Sequence, residues 1–166
     1  MSIELSKFRR PELLGMLELW ESGRRGGRIP AVGGLRPVDI APYLGHVVVV
    51  EVEPVSDRMR FLQVGRELAP VFGDDLEGAY LDCLPEDLRT HVEESYRAMV
   101  AERAPQYAEL EVSGDSWVMI FEQVMLPFRA EEADRVAGAM MVIYPRISVT
   151  RRPPVFEVPE AMAAAG

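Results

Sequence analysis

The side chains in this chain that could carry chemistry are few: two histidines, His46 and His91, one cysteine, Cys83, and 27 acidic groups spread over 166 residues. Neither histidine stands in a nucleophile, zinc or P-loop spacing. The acids fall in surface-type runs such as Asp74, Asp75 and Glu77. General acid and base catalysis needs titratable groups that converge in one pocket. No such set is legible, and we expect no enzyme. The chain offers soft packing groups instead, with 9 methionines. Met99, Met119, Met125 and either Met140 or Met141 fall where they would build an adaptable apolar wall.

The rest of the composition bounds the class. The length fits one domain with a core that needs no metal or disulfide. A lone cysteine excludes an internal disulfide framework and fits a reducing cytosol. The N-terminus MSIELSKFRRPELL has charge throughout and no apolar leader segment, and no later run reaches the roughly 18 apolar residues of a membrane span. We expect a cytoplasmic protein. The net charge of −9 is uneven: residues 1–36 hold 7 basic and 4 acidic groups, residues 37–166 hold 11 and 23. An acidic body repels phosphate backbones and anionic lipid, so neither nucleic acid nor membrane is expected as a partner. Arg9, Arg10, Arg24, Arg25 and Arg28 form either a local docking patch or the solvated end of a helix and its loop.

The elements that must position these groups follow from pattern. Pro11 opens ELLGMLELWES, where Leu13, Leu17 and Trp20 recur at helical spacing. Gly23 and RRGGRIPAVGG then enforce a loop. A short helix from Pro37 is expected to turn Ile40 and Leu44 inward. HVVVVEVE, residues 46–53, reads as a strand covered on both faces. A turn at Ser56 and Asp57 leads into a second strand, Met59 to Val64. The helical scraps Glu67–Phe72 and Asp74–Glu77 are too short to stand alone. A long helix from Pro85 to about Arg103 has Leu88, Val92, Met99 and Val100 on its apolar face, acids at its start and arginines toward its end. Three hairpin-spaced strands follow, Gln106–Val112, Trp117–Phe128 and Val136–Tyr144. The expected fold is α+β: a five-stranded antiparallel sheet with helices on one face and the N-terminal helix on the outer face. The expected divisions are residues 1–36, a core at 37–146, and a Pro-rich tail at 147–166.

This ordered set resembles the PAS domain, and more narrowly a bacterial family of single-domain PAS proteins. FLQVGRELAPVFGDDLEGAYLDCLPEDLR is similar to that family's second strand, helical belt, L-x-G-x-Y-L segment and long-helix start. LELWESGRRGGRIPAVGGLRPVDIAPYLGHVVVVEV resembles its entry helix ending in tryptophan, its G-R-x-x-P loop, its second helix and its first strand. The likeness spans roughly residues 12–146. It implies a sensor in signal transduction, acting in trans, that binds a small apolar or amphipathic ligand or a protein partner. The alternative is a ligand-free interaction or dimerisation module. The resemblance also implies a homodimer, formed through the first helix at Leu13, Leu17 and Trp20.

In the long strand, Trp117, Met119, Phe121, Gln123 and Met125 share one face. If that face looks at the long helix, as the resemblance implies, these residues and Met99 bound a ligand pocket. Gln123 then needs a hydrogen-bond partner, whether ligand, backbone or trapped water. Heme-binding relatives carry their iron ligand on the long helix, where His91 lies. The polar residues beside it, Arg89, Thr90, Glu93 and Glu94, favour an exposed or helix-edge histidine. Light-sensing relatives carry a flavin-reactive cysteine near Cys83, but AYLDCLPED lacks their Asn-Cys-Arg-Phe-Leu-Gln motif. A buried structural thiol fits better. The cofactor is left unassigned, with neither heme nor flavin favoured.

Overall fold

The computed structural model describes residues 7–53, 55–73, 76–114, 117–130 and 135–148, and the backbone alone of residues 32, 70, 71, 112–114, 117, 147 and 148. Helix α1 spans Pro11–Ser22, α2 Pro37–Ile40, α3 Ala69–Phe72 and α4 Glu86–Glu102. Strands are β1 Val47–Val52, β2 Met59–Val64, β3 Gln106–Gly114, β4 Trp117–Arg129 and β5 Val136–Ser148. Short 3-10 turns at Ala41–His46, Arg66–Leu68 and Leu81–Cys83 link them. All five strands form one antiparallel sheet in the order β2-β1-β5-β4-β3. The α+β class and the five-stranded antiparallel sheet are as expected.

Strand alternation sends the two faces of the sheet to two separate cores. Val48 and Val50 of β1 and Phe121 and Met125 of β4 join the belt and α4 through Leu68, Leu81, Leu88, Val92 and Met99. Val47 of β1 and Val124, Leu126 and Phe128 of β4 join α1 through Leu13, Met16, Leu17 and Trp20. The doubly apolar text of the first strand has this cause: it is covered on both sides.

Local sequence sets the element ends. Pro11 occupies the first turn of α1, and the Gly23 N–H closes the helix onto Leu19 and Trp20 carbonyls. In α4, Glu86 and Asp87 sit at the positive end of the dipole, and Arg103 stops the helix in the left-handed region at φ 52°, its N–H bonded to Met99 O. The β1–β2 hairpin turns through Asp57 at φ 52°. Glu51 and Arg60 face each other across that ladder and form an ion pair. The free edge of β2 is covered by the belt, where Phe61 N–H donates to Ala79 O at 2.9 Å and Gly78 N–H to Phe61 O at 2.8 Å. Gly138 is required where β5 crosses β1, because a Cβ there would collide with the Val50 carbonyl.

Several expectations need correction. Val100 and Leu44 point outward, at 38% and 36% exposure. Val100 lies off the buried stripe of α4, and Leu44 lies in a 3-10 turn whose period differs from the α-helical one assumed. Leu76 is not helical and Glu77–Gly78 form a turn, while Asp74 and Asp75 lie outside the described residues. β5 runs to Ser148, two residues past the expected core boundary at 146. The expected extended tail lies otherwise outside the described residues.

Candidate functional site

The inner site forms where β4 passes beneath α4 and the belt. Phe121 and Gln123 line a cavity with Val48, Phe72, Leu88 and Val92. Its volume is about 30 Å³. A water needs roughly 10–15 Å³ on such a measure, so the space suits one or two waters. Gln123 is the one polar side chain lining it among the described residues.

Gln123 is 3% exposed, and its Nε2 lies 2.8 Å from His91 Nε2. With the amide nitrogen facing the ring, the amide N–H donates and the ring nitrogen accepts. That requires a neutral imidazole protonated on Nδ1. The environment agrees: burial pushes the His91 pKa below its ordinary value, with Glu94 opposing more weakly. The Gln123 amide nitrogen thus meets a side chain, a partner that was not among the expected ones. His91 is half-buried with its ring at Gln123 of the sheet, which fits the helix-edge reading and not the exposed one.

The other candidates divide. Met99, Met119 and Met125 are buried at 0, 4 and 1% in the same core, yet are not among the cavity-lining residues. Met141 lines the cavity, whereas Met140 belongs to the outer core. The Trp117 side chain lies outside the described residues, although its backbone pairs with Gly114 in the β3–β4 ladder. The residues present do not fit heme: the nitrogen that would ligate iron is engaged by Gln123, and the adjoining space is a small fraction of a porphyrin. Cys83 is half-buried against the inner core, and desolvation pushes its thiol pKa up. A thiol held protonated is a poor nucleophile. Among the described residues no group of three His, Cys, Asp or Glu side chains could hold a metal, and no helix is long and apolar enough to cross a membrane.

On the outer face, Leu13, Leu17 and Trp20 are buried at 0, 7 and 0% against the chain's own sheet. Side chains expected to form a dimer or partner face are thus packed within the chain. Their apolar stripe is consumed inside the molecule, and Trp20 Nε1–H donates to Pro127 O at 2.8 Å. Sequence reasoning also missed Glu122, which is fully buried and accepts the backbone N–H groups of Arg9 at 2.7 Å and Arg10 at 3.3 Å through Oε1. Its Oε2 is buried with no hydrogen-bond partner among the described residues. Nearby, Tyr107 donates to Lys7 O at 3.1 Å, and its ring lies 4.8 Å from that of Phe8. Burial first, and then the Glu122 charge, push the Tyr107 hydroxyl pKa upward. His46 stacks on Tyr144 with ring centroids 3.9 Å apart. A single charge inside the apolar run VMIFEQVML was the available signal for Glu122. A strand covered on both faces has no solvent side for it.

Comparison with known proteins adds little to this geometry. No known family profile matches the chain, and no curated protein matches it. Among solved structures it is similar to the PAS domain of a protein from Colwellia psychrerythraea, with a TM-score of 0.46 and 13% identity, over 64% of this chain and 92% of that one.

Proposed function

We propose that this chain is a PAS-like regulatory module with a filled interior, which acts through contact with a protein partner instead of enclosing a small ligand. The carrying observation is the size of the inner cavity. A pocket for a small organic ligand starts at about 300 Å³. The space beneath α4 is about 30 Å³, and its one polar lining group is already bonded to His91. Among the described residues no converging set of acids and bases lines it.

The partner surface that fits this reading is the part of the outer sheet beside α1. There Val49, Leu62, Phe128, Ala137 and Met140 border an apolar groove of about 140 Å³, and Leu62 is 44% exposed. The β2 edge is paired with the belt, which favours contact through a face over strand addition at that edge. A second copy of the chain is the first occupant to test.

Native mass spectrometry of protein purified from its own host tests both parts. The expected species carries the mass of polypeptide alone, as a dimer that Leu62→Asp disrupts. A small molecule that survives purification and is released on unfolding would overturn the filled interior. A wild-type protein that stays monomeric at all concentrations would remove the second copy as occupant.

A further inference from the structure

The two edges of the sheet differ in what covers them. β2 is closed by the belt, through the hydrogen bonds of Phe61 with Gly78 and Ala79 and a bridge from Arg60 to Tyr80. β3 ends the other side, and among the described residues it pairs with β4 alone. Its nine residues match β4 one for one, from Gln106 opposite Met125 to Gly114 opposite Trp117, with no bulge in the register and no proline in the strand. In an antiparallel ladder every second residue turns its N–H and C=O away from its partner. β3 therefore presents a regular row of unpaired backbone donors and acceptors, the template for an added strand.

The side chains of β3 decide what such a row accepts. Tyr107 packs on the outer core and Leu110 on the inner one, so Glu109 and Glu111 share the outer side with Tyr107, and Ala108 shares the inner side with Leu110. Glu109 is paired with Arg146 at 2.6 Å. Glu111 is exposed and has no ion-pair partner among the described residues. The strand carries no basic residue. Two copies joined through β3 would bring two glutamates from each strand to one seam with no cation on either strand, and like charges across a ladder are destabilising. The net charge of −9 adds to that repulsion. The glutamates thus guard this edge against a second copy and leave it open to a strand of opposite charge.

We propose that the β3 edge receives an extended segment of another protein, with basic residues on the side that meets Glu109 and Glu111 and apolar residues on the side that continues Ala108 and Leu110. Backbone hydrogen bonds to β3 hold the segment, and the glutamates set its charge. The surface lies on the opposite edge of the sheet from Leu62, and it stands whether or not the chain dimerises through the outer groove.

The test titrates the full chain with a short, fluorescently tagged peptide of alternating lysine and valine at low ionic strength, read by anisotropy and by amide exchange. Saturable binding is expected, with exchange slowed at alternate amides of Gln106–Glu111. Methylating every second amide nitrogen of the peptide should weaken binding at least about tenfold in one register and leave it nearly unchanged in the other, because only one set of N–H groups faces β3. Glu111→Lys should weaken binding about fivefold, as loss and reversal of one exposed charge pair implies. Leu62→Asp, on the outer groove, should bind as the wild type does. The proposal is overturned by absence of saturable binding or by full affinity in Glu111→Lys. Equal affinity for both methylated peptides would mark attraction by charge alone and overturn strand addition. Weakening in Leu62→Asp, or exchange slowed elsewhere than in β3, would place the peptide on another surface and overturn it as well.

Discussion

Glu122 and Gln123 are neighbours in sequence and face opposite ways, and each is buried beneath a helix. Glu122 receives the backbone at the start of α1, while Gln123 meets the side chain of His91 on α4. The outer face is covered mainly by α1, with Phe8, Ile29 and Leu35 beside it, and α1 is tied by polar contacts at both ends, Glu122 at the start and Trp20 to Pro127 near the finish. The inner face is covered by several short elements and α4, packed almost wholly by apolar contact. A single helix on a broad sheet can slide or lift as a unit, so orientation must come from directional bonds. A belt of many short pieces is fixed by interdigitation instead, and one weak polar contact suffices. The outer face should therefore be the more sensitive to loss of a single polar or anchoring group.

Trp20 tests that contrast at its largest. Trp20→Ala removes a fully buried aromatic and leaves Pro127 O without its donor. The expected loss is about 3–5 kcal/mol in urea unfolding. A loss under about 1 kcal/mol, within the range of surface substitutions or slightly above it, would mean that α1 contributes little to holding the sheet.

Glu122→Ala comes next. It strands the Arg9 and Arg10 N–H groups beneath the start of α1, at an expected cost of about 1–3 kcal/mol. Limited proteolysis should then cut sooner within the first 22 residues. Gln123→Ala should cost less, about 1 kcal/mol, because half-buried His91 can turn its freed nitrogen to water. Equal losses for the two variants would break the contrast between the faces.

How much of this was legible follows from the same two residues. Strand alternation separates 122 from 123, and the apolar text of HVVVVEVE requires cover on both sides, so the sheet and the outer helix follow from pattern, while the inner orientation of Gln123 is implied only by the family resemblance. The partners do not. Which backbone N–H reaches Glu122 depends on where residues 9 and 10 cross β4, more than 100 positions away in the chain. Polar neighbours made His91 look exposed, because helix faces change with each 100° step and a residue beside the apolar stripe can still turn inward. Cavity size was equally hidden, since methionines fill gaps as readily as they line them.

The smallest expected effect is the dependence of stability on pH through His91. Burial holds the folded pKa below the ordinary value of 6.5, so the unfolded chain binds the proton more readily. Stability contributed by the neutral ring is complete above the unfolded pKa. It falls as pH drops from about 6.5 through the lower folded value, because unfolding then takes up a proton. The hydrogen bond changes in the same direction: a protonated Nε2 can no longer accept from the Gln123 amide. Urea midpoints should accordingly decline on acidification in this window for the wild type. In His91→Leu, whose apolar side chain can pack beside Leu88 and Val92, that component should vanish. An unchanged decline in His91→Leu would assign the pH dependence to another group and weaken the pairing of His91 with Gln123 as the polar contact of the inner face.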